Sequence, residues 1–340
     1  MSHPASATTP IPAWHAQPER GAPHVTRAAI WLVLRGGRTV ASLLSALATL
    51  WFLCTAPAAR RASRDYLGRA LGRPARLTDV ARHFHSFATA VQDRVLLLAG
   101  RTDGFEITTE GLDQVLAEVL AGRGCILLGA HLGSFEVLRS LADRAPVPVW
   151  ALMYRRNAGA LTGLLDRLAP GIHARVLEIG DTASMIRARE CVERGEIVGI
   201  LADRAPAGHR MVTVPFLGAA ARFPSGPFVL ASTLAAPVVL FQAVRTGPRR
   251  YTVRFEPFAP RVHLRRAERA ADLHAVVARY AAAVERGCRA HPFQWFNFFP
   301  FWEHAHAETT LSAAHPTAAA ADPGGPGHLA GPGHGAAQPR

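Results

Sequence analysis

The feature that most constrains the fold is a repeated alternation of short apolar runs with helical patterns, which starts near residue 106. Runs such as CILLGA at 125–130 and EIVGILAD at 196–203 have the length of strands, and the stretches after them repeat apolar residues every three to four positions. This alternation predicts an α/β fold with a mixed, largely parallel sheet flanked by helices. The runs at 237–245 and 250–258 are joined by a short turn, which predicts one antiparallel pair.

The N-terminal part of the chain has a different character. Residues 1–26 are rich in Pro, Ala, Thr and His, and we expect a loose segment there. Residues 27–64 are apolar and include 21 uncharged residues at 39–59, a length that just suffices to span a bilayer. We expect an N-terminal apolar membrane-associating helix, either inserted or lying against the membrane, with a soluble core helix as the alternative. An α/β domain is expected over 65–303 and a disordered tail over 304–340.

Composition restricts the classes of partner and site. The net charge is +13 and every basic residue is arginine, which favours anionic membrane surfaces, acidic proteins or nucleic acid. Because no helix-turn-helix, zinc-finger or RNP-type signature is present, nucleic acid is not predicted as a partner. The four cysteines form no C-x-x-C pair, so neither a zinc site nor a disulfide framework is predicted. His83 and His85 lie off the apolar stripe of their helix and are expected at the surface, with a role as metal ligands as the alternative.

The main candidate site lies where the run at 125–130 ends, directly before His131. In open α/β sheets, ligands bind at the carboxyl ends of strands. On one continuous helix His131 and Glu136 would point about 140° apart. If His131 lies in the turn, with Gly133 relaxing it and Ser134 as N-cap, Glu136 falls in the first helical turn and its carboxylate can reach the imidazole. His131 would then be a general base. The alternative is that His131 is a structural residue and that Glu136 only stabilises the helix through its interaction with the helix dipole.

Four further residues are candidates for substrate binding. Asp203 follows another strand and either lies in the same cleft or caps a turn. Arg155 and Arg204 suit a phosphate or carboxylate, or else a solvated surface. Gly226 would let a substrate approach the backbone, or simply precedes a proline at the start of a helix.

Six segments together resemble a known family. The stretch from His131 to Glu136 resembles the H-x4-D/E (here HX4E) motif of glycerolipid acyltransferases, in particular that of the bacterial lipid A late acyltransferase family. Together with it, five further segments occur along the chain in the order that the family has. These are WHAQPERG at 14–21, MYRRN at 153–157, GILADR at 199–204, the block at 214–239 and QWFNFFPFW at 294–302.

This resemblance implies an enzyme that moves a fatty acyl group from a thioester of acyl carrier protein or coenzyme A to a hydroxyl or amine of a lipid or glycolipid. His131 would be the general base and Glu136 its orienting acid, with acyl-ACP or acyl-CoA as cosubstrate and no other cofactor. The expected partners are acyl carrier protein, the acceptor and a membrane surface. The expected location is the bacterial cytoplasmic (inner) membrane, with the catalytic domain facing the cytoplasm.

Two other classes of function remain open from the sequence. A metal-dependent hydrolase would use His131, Glu136 and Asp203 as ligands, although no paired-histidine spacing supports it. An inactive membrane scaffold or carrier-protein binding module would use none of them. The acceptor, the acyl length, the choice of donor and the oligomeric state are not set by the sequence.

Overall fold

The computed structural model describes residues 23–142, 145–154, 175–206 and 208–302. Its strands are β1 (Glu106–Glu110), β2 (Cys125–Gly129), β3 (Val149–Met153), β4 (Val176–Glu178), β5 (Ile197–Leu201), β6 (Met211–Phe216), β7 (Ala219–Pro224), β8 (Val238–Gly247) and β9 (Arg250–Ala259). Seven of them form one sheet in the order β1-β9-β8-β2-β5-β3-β4. Neighbours in this sheet are parallel except β8 and β9, which confirms the predicted α/β class and the antiparallel pair.

Helices cover both faces of this sheet. The described helices are α1 (Pro23–Arg35), α2 (Gly37–Thr55), α3 (Pro57–Leu71), α4 (Leu77–Leu98), α5 (Leu112–Leu120), α6 (Phe135–Ala142), α7 (Thr182–Glu193), α8 (Gly226–Leu234) and α9 (Arg269–Ala290). Side chains of β2 alternate between two cores. Ile126 and Leu128 pack with the α3, α4 and α9 side of the molecule, whereas Cys125 and Leu127 pack with α5 and α6.

Two parts of the β-structure were not predicted. Strand β1 is mostly exposed and polar, and it lies at the sheet edge, where Glu106 and Glu110 form ion pairs with arginines of β9. Strands β6 and β7 form a separate antiparallel hairpin. Its turn at Leu217 and Gly218 has positive φ at both positions, a tight-turn geometry that is weakly encoded when the first turn residue is leucine.

The expected single apolar helix through 39–59 is wrong. Helix α2 ends before Ala56, and α3 begins with Pro57, because proline has no N–H to continue the helix and crowds the preceding turn. Within the described part of the chain, no one helix has the length and apolar character to cross a membrane. One pair of consecutive helices is long and apolar enough when taken together, judged by length and composition alone. The pair is Thr39–Thr55 and Pro57–Leu71, with a bend of 101° between them.

Some sequence predictions fall outside the described residues. These are residues 1–22 of the loose segment expected over 1–26, the candidate Arg155 and the tail expected over 304–340. Residues 23–26 belong to α1.

Candidate functional site

The site is assembled by the register of two neighbouring strands. Gly129 at the end of β2 pairs with Leu201 at the end of β5, and the strands are parallel. His131 and Asp203 each follow their strand end by two residues. Equal offsets from a parallel pair bring both side chains to the carboxyl edge of the sheet, where α/β folds bind ligands.

The turn that carries His131 is held by its backbone. Gly133 has a φ of 81°, and a Cβ there would overlap the carbonyl of Ala243. Its N–H donates to the Gln294 carbonyl at 2.9 Å, and the Ser134 N–H donates to the Ala243 carbonyl at 2.8 Å. These two N–H groups therefore bind the protein itself, so they are not free to stabilise an anion.

His131 and Asp203 form a hydrogen-bonded pair. His131 Nδ1 lies 2.7 Å from Asp203 Oδ1; the Asp203 side chain is fully buried, while His131 is 37% exposed. The other carboxylate oxygen accepts from Trp295 Nε1 at 3.1 Å and from the Arg204 guanidinium at 3.0 Å. Because an ionised carboxylate only accepts hydrogen bonds, Nδ1 must carry the proton, which leaves Nε2 as the basic atom of the ring.

The electrostatics of the pair favour a neutral imidazole beside an ionised carboxylate. Burial and then the Arg204 charge lower the pKa of His131 below its ordinary value, although the Asp203 and Glu136 carboxylates act to raise it. Burial alone would raise the pKa of Asp203. The charge that His131 carries when protonated, the Arg204 charge and the hydrogen bonds from His131 and Trp295 outweigh it and hold that pKa far below its usual range. Such an imidazole is ready to accept a proton near neutral pH.

Glu136 lies where the sequence placed it but has a different partner. It is in the first turn of α6, and its Oε1 is 2.7 Å from Arg94 Nε of α4. The expected contact of this carboxylate with the imidazole is replaced by the contact from Asp203, because β5 delivers Asp203 directly beside His131 whereas α6 turns Glu136 toward α4. The Glu136 charge still acts on His131 by raising its pKa.

The remaining predicted residues differ in their placement. Arg204 is nearly buried, binds Asp203 Oδ2 and stacks over the Phe299 ring at 5.3 Å, so its guanidinium helps hold Asp203 in place. Gly226 begins α8, and among the described residues nothing beyond its chain neighbours and its own helix backbone lies within 4 Å of an added Cβ. It makes none of the contacts that hold the His131–Asp203 pair together.

Two functional contacts were missed by sequence reasoning. Trp295 donates to Asp203 from a position 92 residues away, and Arg94 of α4 pairs with Glu136 of α6. For Trp295 the available signal was its place in the aromatic segment at 294–302. For Arg94 there was none, because arginine is abundant throughout the chain.

The geometry also bears on the metal-site alternative. In the ranges that the structure describes, no three His, Cys, Asp or Glu side chains are grouped so that they could hold a metal ion. His131 and Asp203 point at each other, and Glu136 points at Arg94.

Comparison with known proteins identifies the family of the chain. No curated protein matches the chain. The family described as bacterial lipid A biosynthesis acyltransferase matches residues 78–304, which is more than half of the chain and includes His131, Glu136 and Asp203. The chain therefore belongs to the bacterial lipid A biosynthesis acyltransferase family and is an acyltransferase.

Proposed function

We propose that this enzyme transfers a fatty acyl group from an acyl carrier protein or coenzyme A thioester to a hydroxyl or amine of a lipid or glycolipid, with His131 as general base. The observation that carries the proposal is the 2.7 Å hydrogen bond from His131 Nδ1 to the buried Asp203 carboxylate. It fixes the tautomer whose Nε2 accepts the acceptor's proton, and it stabilises the imidazolium that results.

The proposed reaction needs no enzyme-bound acyl group. His131 Nε2 takes the proton as the acceptor oxygen or nitrogen attacks the thioester carbonyl, which forms a tetrahedral intermediate. The intermediate collapses with cleavage of the carbon–sulfur bond, and the imidazolium returns the proton to the leaving thiolate. Asp203 keeps the ring oriented throughout. Glu136, held by Arg94, adds negative charge that favours the imidazolium.

We also propose that the enzyme works at the cytoplasmic face of the inner membrane. Helix α2 exposes Leu43, Leu47, Leu50 and Trp51, which fall on one face of the helix at three- and four-residue steps. We call these four residues the α2 stripe. Arg61 and Arg64 of the next helix are exposed beside a surface pocket. An apolar face near arginines suits an anionic bilayer surface, and the basic balance of the chain also suits an acidic carrier protein.

Acyl transfer by purified protein tests the chemistry. With acyl carrier protein thioester and lipid-extract vesicles, His131→Ala should lower the transfer rate by about a thousandfold or more, because the base is gone. Glu136→Gln should lower it by about tenfold or more, because a charge that stabilises the imidazolium is lost. His274→Ala, an exposed histidine of α9, is the matched control and should transfer at the normal rate. Persistent transfer by folded His131→Ala protein would refute the mechanism.

A second experiment identifies the acceptor. The lipids of cells with and without a functional copy of the gene are profiled, and the acylated lipid that is missing without it is the product.

A further inference from the structure

A groove between α2 and α4 has a composition that the transfer chemistry does not explain. It encloses about 510 Å³, and its walls include Leu50 and Leu53 of α2, Arg82 and His85 of α4, and Arg245 and Phe293. One side is therefore apolar and the other is cationic. Among the described residues that line it, none is acidic.

The cationic side is built from arginines with defined positions. The Arg82 guanidinium lies over the Phe293 ring, 4.5 Å from its centroid, on an exposed part of α4. The Arg245 side chain is 28% exposed, and its Nε is 3.7 Å from Asp93 Oδ2. That Nε is buried and has no hydrogen-bond partner in the described part of the chain. Because Arg245 lines the groove, its guanidinium can donate charge-assisted hydrogen bonds to an anionic ligand there.

The apolar side of the groove continues onto the surface proposed to meet the membrane. Leu50 belongs both to the groove wall and to the α2 stripe. A molecule lying in the groove can therefore have its hydrocarbon part against α2 and its polar part between α4 and Arg245. This combination fits an amphiphile with an anionic head, which places acyl chains on Leu50 and Leu53 and a phosphate near the arginines.

We propose that the α2–α4 groove binds one anionic phospholipid from the membrane, with its headgroup phosphate between Arg82 and Arg245 and a chain along α2. Neither His131 nor Asp203 lines this groove, and the proposed binding involves no step of acyl transfer. Phospholipid binding in the groove is measured without turnover and without a bilayer. A lack of binding is therefore distinguishable from a lack of acyl transfer.

The test uses the full chain and water-soluble short-chain phosphatidic acid, below its micelle-forming concentration, with calorimetric detection. Phosphatidylcholine of the same chains and inorganic phosphate are the matched ligands. We expect phosphatidic acid to bind at least about tenfold more tightly than either, because only it combines an unshielded anionic phosphate with a chain. Arg82→Gln should weaken phosphatidic acid binding about tenfold, which corresponds to the loss of one charge-assisted hydrogen bond.

Two further variants make the result decisive. Arg82→Lys keeps the charge and should retain most of the affinity. Arg266→Gln removes an exposed arginine before α9 and should bind as the unmodified chain does. The proposal is overturned if phosphatidylcholine binds as tightly as phosphatidic acid, if inorganic phosphate accounts for all of the affinity, or if Arg82→Gln binds normally with an unchanged melting temperature.

Discussion

At the scale of single residues, His83 shows how burial and two hydrogen bonds set the protonation state of a histidine. It was expected at the surface, and that prediction is wrong: His83 is fully buried, with Nδ1 2.9 Å from Ser63 Oγ and Nε2 3.0 Å from the Trp295 carbonyl. A carbonyl only accepts, so Nε2 donates to it and Nδ1 accepts from the serine. Burial lowers the pKa of His83 to about 3, although the Trp295 hydrogen bond opposes the shift.

This pKa predicts an acid-dependent loss of stability. Between about pH 6.5 and about pH 3 the unfolded chain binds a proton at His83 and the folded chain does not, so the free energy of unfolding falls as the pH falls. The contribution is at most about 1.4 kcal/mol per pH unit. The His83→Gln variant lacks this contribution. Its free energy of unfolding, measured with urea, should therefore fall less from pH 7 to pH 5 than that of the unmodified chain. The exposed control His274→Gln should keep the original slope, and equal slopes in all three proteins would contradict the assignment.

At the scale of structural elements, the turn between β2 and α6 determines where His131 sits. The turn packs directly on β8 and on the segment before Trp295, through Gly133 and Ser134. The sequence indicated a relaxed turn at Gly133 but did not indicate that the Ala243 backbone would lie against it. That contact depends on β8 being the neighbour of β2, which local pattern does not encode.

Substitution of Gly133 by alanine measures this packing. Gly133→Ala combines a positive φ of 81° with a steric overlap on the Ala243 carbonyl, and we expect a loss of stability of about 3 kcal/mol or more. Gly218→Ala has a similar φ of 79° and no atom within 4 Å of the added Cβ, so it should lose only about 1 kcal/mol. Urea denaturation of both variants gives the difference; equal losses would mean that backbone strain alone matters at Gly133.

At the scale of the whole molecule, the sequence was sufficient for the class of fold and for the position of His131. Alternating periodicities predicted the parallel sheet, and the run before His131 placed this histidine at the carboxyl edge of the sheet. The partner of His131 was not predictable, since choosing Asp203 over Glu136 requires knowing that β5 lies beside β2. The break at Pro57 was readable from proline chemistry, but the absence of charge over 39–59 favoured one continuous helix.

The proposed membrane contact through the α2 stripe predicts the effect of removing its leucines. Replacing Leu43 and Leu47 together by glutamate should reduce partitioning onto anionic vesicles at least about tenfold, because two exposed leucines no longer contribute burial in lipid. Ile186→Glu changes an equally exposed residue of α7 and should partition normally. Vesicle sedimentation provides the measurement, and unchanged partitioning of the double variant would rule out the α2 stripe as the membrane contact.

The central claim is that the Asp203 carboxylate orients His131 for proton transfer, and its most direct test is the turnover number of Asp203→Asn in acyl transfer. Asparagine keeps the shape of the side chain but removes the charge and allows the wrong tautomer of the ring. We predict a fall in kcat of about a thousandfold to ten-thousandfold in protein whose circular dichroism is that of the folded chain. A kcat within a few-fold of the unmodified enzyme would contradict the account and leave Glu136 as the acid that serves His131.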